Sequence, residues 1–132
     1  MLRENPVVIL DGAHNGEAAQ VLAATIREKF PSTPVALILG VLRDKDYAQV
    51  CRILAPLARW IYCVPVQSER TCDPAELAAL CRGLVRADLA TAYAEALMLP
   101  SGVIVITGSL FLVGEALGLA TPGSSARERA LQ

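Results

Sequence analysis

The sequence predicts an α/β fold, with a mainly parallel sheet covered by helices on both faces. Three observations lead there. Short runs of apolar, β-branched residues, such as Val7-Val8-Ile9-Leu10 and Val103-Ile104-Val105-Ile106, read as buried strands. Between such runs, apolar residues recur at i, i+3, i+4 and i+7, the period of an amphipathic helix. Strands that alternate with helices are joined by long crossovers, which suit parallel pairing and turn right-handed.

Each element has its own signal. The first strand, residues 7–10, stops abruptly at Asp11, Gly12 and the chain's only histidine, His14. Ala19, Leu22, Ala23, Ile26 and Phe30 then mark one face of a helix. Residues 34–39 read as a second strand, ended by Gly40. A helix over residues 46–57 follows, with Tyr47, Val50, Cys51 and Leu54 on one face and Pro56 disrupting its last turn. Residues 60–64 form a third strand, and residues 65–72 a polar loop. Asp73-Pro74-Ala75-Glu76 starts the next helix: Asp73 caps, Pro74 suits the first position and Glu76 completes a capping box. Leu77, Leu80, Cys81 and Leu84 are its expected buried face. A short strand is expected around residues 85–88, a helix over 89–98, and a strand over 102–107. Gly108-Ser109 opens a last helix through Leu117. From 118 to 132 the apolar pattern fades into a loose tail, so the expected division is one domain, 1–117, and a flexible segment, 118–132.

Composition excludes several classes. A length of 132 residues suits one domain with a real core. Hydrophobic residues make up 54%, yet no apolar run approaches the ~20 residues that span a bilayer. Twelve basic and thirteen acidic residues leave a net charge of −1, so nothing points to nucleic acid or to an anionic membrane surface. The first six residues are short and polar, unlike a signal peptide. Cys51, Cys63, Cys72 and Cys81 form no C-x-x-C pair, and His14 is distant in sequence. They read as four reduced thiols in a cytoplasmic protein, with no metal site.

Three loops follow predicted strands, and a parallel sheet brings them to one edge. In the first, Asp11 has the chemistry to accept hydrogen bonds from ligand hydroxyls such as a ribose diol. His14 offers a charge that switches near neutral pH, and Asn15 a helix cap. Alternatively Asp11 and Asn15 satisfy only turn and cap groups. The second loop, Gly40-Val41-Leu42-Arg43-Asp44-Lys45-Asp46, sets Arg43 and Lys45 beside two acids. It suits a carboxylate or phosphate, or else it is a solvated charge run with Asp44 or Asp46 as a cap. It lacks the spacing of a Walker A loop. The third, Thr107-Gly108-Ser109, combines two hydroxyls and a glycine at a helix start, an anion-binding nest or a simple cap. A dinucleotide dehydrogenase is disfavoured: no G-x-G-x-x-G follows the first strand and no acid ends the second.

Asp11-Gly12-Ala13-His14-Asn15, Gly40 with Asp44-Lys45-Asp46, and Thr107-Gly108-Ser109-Leu110-Phe111-Leu112-Val113-Gly114-Glu115 together resemble the C-terminal domain of folylpolyglutamate synthase/dihydrofolate synthase, one of the Mur-type ATP-dependent amide ligases. The resemblance covers roughly residues 5 to 117, and its first and last motifs are the more specific. It implies a Rossmann-like three-layer sandwich packed against a larger upstream ATP-binding domain. In such enzymes ATP and Mg²⁺ turn a pteroate or folate carboxylate into an acyl phosphate. The amine of L-glutamate attacks it, giving an amide, ADP and phosphate. On this resemblance Asp11 holds the ATP ribose, and His14, with Asn15 beside it, lies near the nucleotide and its phosphates. Lys45 and Ser109 grip the incoming glutamate. His14 and Lys45 are the implied catalytic pair, acting by positioning and charge neutralisation.

Two departures from the family pattern matter. Gly16 stands where the family usually has proline, so a looser helix start is expected. The family's glycine-rich phosphate loop and Mg²⁺ ligands lie upstream of the matching region. The chain is therefore expected to be a fragment or a separately encoded domain, inactive alone. Other readings are a stand-alone, non-catalytic binding module, or the C-terminal domain of a cell-wall Mur ligase. The stretch from Gly108 to Glu115 favours the folate branch.

Overall fold

A computed structural model describes residues 6–119 and 127–131. The elements in order are β1 (Val7–Asp11), α1 (Gly16–Lys29), β2 (Val35–Leu39), α2 (Tyr47–Leu54), β3 (Trp60–Cys63), α3 (Pro74–Cys81), β4 (Leu84–Val85), α4 (Leu89–Leu97), β5 (Val103–Thr107), α5 (Leu110–Leu119) and β6 (Arg127–Leu131). A single 3₁₀ turn, Ala55–Leu57, extends α2 where Pro56 forbids further α-helix.

The strands form one sheet in the order β4-β3-β2-β5-β1-β6, and every pair is parallel. Alternation along the strands splits the core into two layers. Ile9, Leu37, Leu39, Val103 and Val105 pack with α1, α2 and α3. Val8, Leu10, Ala36, Ile38, Ile104 and Ile106 pack with α4 and α5 on the other face. From β1 to β4 the chain travels one way across the sheet, and from β4 to β6 it returns. A constant crossover hand then puts the outgoing and returning helices on opposite faces. The result is the expected three-layer sandwich.

Several expectations shift in detail. Glu76 does not close a capping box; its carboxylate accepts from the Tyr47 hydroxyl, while Asp73 Oδ1 accepts from Ala75 N–H. Helix α3 ends at Cys81, because Arg82 takes a left-handed conformation, φ +58°. Leu84 therefore starts β4 and is 54% exposed, and Leu80 is 50% exposed, so neither belongs to the predicted buried face. The short strand lies at residues 84–85, not 85–88, because Asp88 is the N-cap of α4. Gly118 and Leu119 continue α5, and residues 127–131 pair with β1, where a loose tail was expected. The rest of that segment, residues 120–126 and 132, lies outside the described residues. All four cysteines are buried and free. None of the described helices is long and apolar enough to cross a membrane.

Candidate active site

Strand β5 sits between β1 and β2. Its exit helix α5 covers one face of the sheet, while α1 and α2, leaving β1 and β2, cover the other. Loops that part in this way open a crevice at the carboxyl ends of the strands, the usual ligand site of an open α/β sheet. All three candidate loops meet there.

Asp11 is the last residue of β1 and only 8% exposed. Its Oδ1 accepts from the Ala13 N–H at 2.8 Å, which fixes the turn. Burial pushes the carboxyl above the usual carboxylate range, against the pull of that hydrogen bond. Next, His14 Nδ1–H donates to the Gly12 carbonyl at 2.9 Å, since a carbonyl only accepts. In the neutral ring Nε2 is then the remaining acceptor. Asn15 caps α1, its side-chain oxygen accepting from Ala18 N–H at 2.8 Å. That cap sets the start of α1 at Gly16.

The β5 loop is shaped by backbone geometry. Gly108 has φ +114°, and a Cβ there would lie 2.4 Å from the Gly40 carbonyl oxygen. Only glycine fits. The Gly40 N–H donates to the Thr107 carbonyl, 3.2 Å, so the two loops are stitched together. Ser109, also buried, accepts from the Phe111 N–H at 3.0 Å and so caps α5. Its hydroxyl hydrogen is not consumed by that bond. Thr107 is fully buried, and its Oγ1 has no partner among the described residues.

The β2 loop is laced to the loop after β3. Cys72 N–H donates to the Val41 carbonyl and Arg43 N–H to the Arg70 carbonyl, around an antiparallel bridge between Leu42 and Thr71. Arg43 also donates through its guanidinium to the Glu69 carbonyl. Arg70 pairs with Asp44 at 2.8 Å in an exposed position. Desolvation pushes the Asp44 carboxyl up, but the hydrogen bond from Arg70, with the charges of Arg70 and Lys45, outweighs it and holds Asp44 low. Asp46 caps α2. Lys45 makes no ion pair with any described residue.

These parts enclose two adjoining hollows. A cleft of about 270 Å³ is walled by His14, Lys45, Ser109 and Arg70, with apolar Leu42, Leu110 and Phe111. A pocket of about 170 Å³ lies over Asp11 and Ala13. His14 and Leu110 line both, so the imidazole stands at their junction. The structure thus gathers Asp11, His14, Lys45 and Ser109, whereas Asn15 faces out and is spent on its cap. Arg70, Leu110 and Phe111 are the residues sequence reasoning missed. Arg70 had a signal: its loop follows β3, so the parallel sheet brings it to the same edge. No group of three or more metal-ligating side chains is found among the described residues.

Comparison with known proteins agrees with this geometry. Residues 1–110 match the family described as Mur ligase, glutamate ligase domain. The chain belongs to this Mur ligase family. It is 35% identical, over 84% of its length, to the folylpolyglutamate synthase of Lacticaseibacillus casei, of which it covers 26%. A dihydrofolate synthase/folylpolyglutamate synthase of Escherichia coli is 33% identical over 70 residues. Among solved structures, E. coli FolC in complex with DHPP and ADP superposes with a TM-score of 0.82 at 26% identity, over 89% of this chain and 29% of FolC. A bifunctional folylpolyglutamate synthase/dihydrofolate synthase with Mn, AMPPNP and L-glutamate bound gives 0.80 at 28% identity, over 89% of this chain and 30% of that one. The Mur ligase domain described here thus spans under a third of each of these relatives that it covers most fully. They are ligases, and this chain carries their glutamate ligase domain.

Proposed function

We propose that this domain serves an ATP-dependent amide ligase that adds L-glutamate to dihydropteroate, to folates, or to both. The carrying observation is convergence: Asp11 and His14 from the β1 loop, Lys45 from the β2 loop and Ser109 from the β5 loop line adjoining hollows. The residues present fit a nucleotide ribose. Asp11 is a buried carboxylate with one lone pair spent on Ala13, leaving acceptors for a diol.

ATP supplies the phosphoryl group that activates the pterin substrate's carboxylate. The chain's own residues do the rest. Asp11 accepts from the ribose hydroxyls. Lys45 and the Ser109 hydroxyl hold the glutamate carboxylates, pairing a movable cation with a fixed donor. The imidazole of His14, held by Gly12, stands where the nucleotide and glutamate sides meet and moderates charge there. Such a site accelerates reaction by orientation and charge neutralisation.

The upstream domain of the same enzyme brings the phosphate loop and the Mg²⁺ ligands in this reading. Leu110 and Phe111, 63% and 50% exposed beside the cleft, are apolar surface suited to its docking. Alone, the chain neither hydrolyses ATP nor ligates glutamate, and the enzyme works in the cytoplasm. The test uses the full-length enzyme that carries this domain. Ser109→Ala and Lys45→Ala are expected to raise the glutamate KM about tenfold, the size of one lost charge-assisted hydrogen bond, with ATP use little changed. Asp11→Ala is expected to weaken ATP use instead. Unchanged glutamate kinetics in both variants would refute the glutamate assignment.

A further inference from the structure

One buried side-chain oxygen under the site, Thr107 Oγ1, has no hydrogen-bond partner among the described residues. Buried polar atoms are nearly always paired, so this hydroxyl demands an explanation. β1 and β5 pair with Asp11 opposite Thr107. Ile9 and Val105, two residues before them, pack on the α1–α3 face, and strand alternation puts Asp11 and Thr107 on that face too. Neighbouring strands lie ~4.8 Å apart, so hydroxyl and carboxylate are side by side on one face of the sheet. On its other side Thr107 is opposite Leu39, whose side chain offers no hydrogen bond. Asp11, meanwhile, accepts only from Ala13 among the described residues. One group has a donor unspent, and its neighbour has acceptors unspent.

We propose that Thr107 is a positioning residue for Asp11: its hydroxyl donates to the ionised carboxylate and fixes the oxygen that faces a ribose. The ribose rests on the nucleotide reading above; the hydroxyl–carboxylate pair rests on register and burial. An O–H bond to an ionised acceptor is roughly twice as strong as one between neutral groups, so the pair forms best once Asp11 is charged. Few other charges face Asp11. His14 shares its pocket, and α1 contributes Glu17 in its first turn. On β6 the register partner is Leu131, with Arg129 opposite Ile9. The α5 contribution is apolar Leu110.

The experiment is a carboxyl-carbon NMR titration of Asp11 in this chain, assigned with Asp11→Asn, with the His14 ring followed in parallel. Thr107→Val should raise the Asp11 midpoint by about one pH unit, the worth of one charge-assisted hydrogen bond. Thr107→Ser, which keeps the hydroxyl, should restore the wild-type value. An unchanged midpoint in Thr107→Val, or an equal rise in both variants, would overturn the proposal. Thr107→Ala replaces the valine variant should that one not fold. In the full-length enzyme that carries this domain, ADP added as a probe should bind Thr107→Val about tenfold more weakly than wild type. Equal ADP binding in the two would remove the ribose from the proposal, and the titration still decides the pair.

Discussion

Two loops at one edge of the sheet, residues 107–109 after β5 and residues 42–46 after β2, are built in opposite ways. In the first, backbone decides. Gly108 is wedged against Gly40 at positive φ, and Thr107 and Ser109 are buried. In the second, side chains decide. Arg70 pairs with Asp44 at the surface, Asp46 caps α2 and Lys45 makes no ion pair with a described residue. The contrast teaches a division of labour. On the proposed reading, hydroxyl and amide groups that meet a ligand at a set angle sit on a platform fixed by its backbone. On the same reading the cation, Lys45, which acts at a distance and needs little angle, sits on a long side chain that no described ion pair holds.

Substitutions can break or sharpen that contrast. The largest effect is expected from Gly108→Ala. Its Cβ would meet the Gly40 carbonyl at 2.4 Å in a strained conformation, and strain plus overpacking should cost about 3 kcal/mol or more in urea unfolding. A wild-type midpoint would mean the β5 loop is not rigid. Next, Ser109→Ala should cost about 1 kcal/mol through the lost cap, whereas Lys45→Ala should leave unfolding unchanged. Equal losses in the two would erase the distinction between platform and side chain.

Asp11→Asn tests the platform from its other side, with a smaller effect of opposite sign. Burial raises the folded carboxyl above its ordinary value of 3.8, so folded chain holds the proton more tightly than unfolded chain. That stabilising contribution is full below 3.8 and is lost as pH rises through the folded value. Asp11→Asn should therefore melt higher than wild type near neutral pH, and its advantage should vanish in acid. A constant gap across pH would refute the desolvation argument. Smallest of all is Arg70→Ala. Its pair with Asp44 is exposed on both sides, and such pairs contribute little. No measurable shift in melting is expected, at low or high salt.

Much of the architecture was legible because it is local. β2 is apolar throughout, β5 is β-branched throughout, and both are buried along their whole length. Asp73 and Asn15 cap helices through side-chain oxygens that the sequence alone already offers. Leu80 and Leu84 misled for a physical reason. Helical spacing continues past Cys81 in the letters, but Arg82 takes a left-handed turn and the helix stops. The pairing of residues 127–131 with β1 was hidden too, since Arg127-Glu128-Arg129 shows no apolar run. Its backbone hydrogen bonds come from the sheet edge, not from its own side chains.

The sequence by itself determined the inner strands β1, β2, β3 and β5, the helices and the chemistry of the loops, because period, caps and turn residues act within a few positions of one another. It placed Asp11, His14, Lys45 and Ser109 on loops after strands, and parallel pairing was enough to bring those to one edge. Only the tertiary structure decided which neighbours each acquired. The order β2-β5-β1 sets Thr107 beside Asp11, the β3 loop delivers Arg70 to the cleft, and Gly108 reaches the Gly40 carbonyl. Those contacts join residues 26 to 96 positions apart, and strand order, not spacing along the chain, governs them.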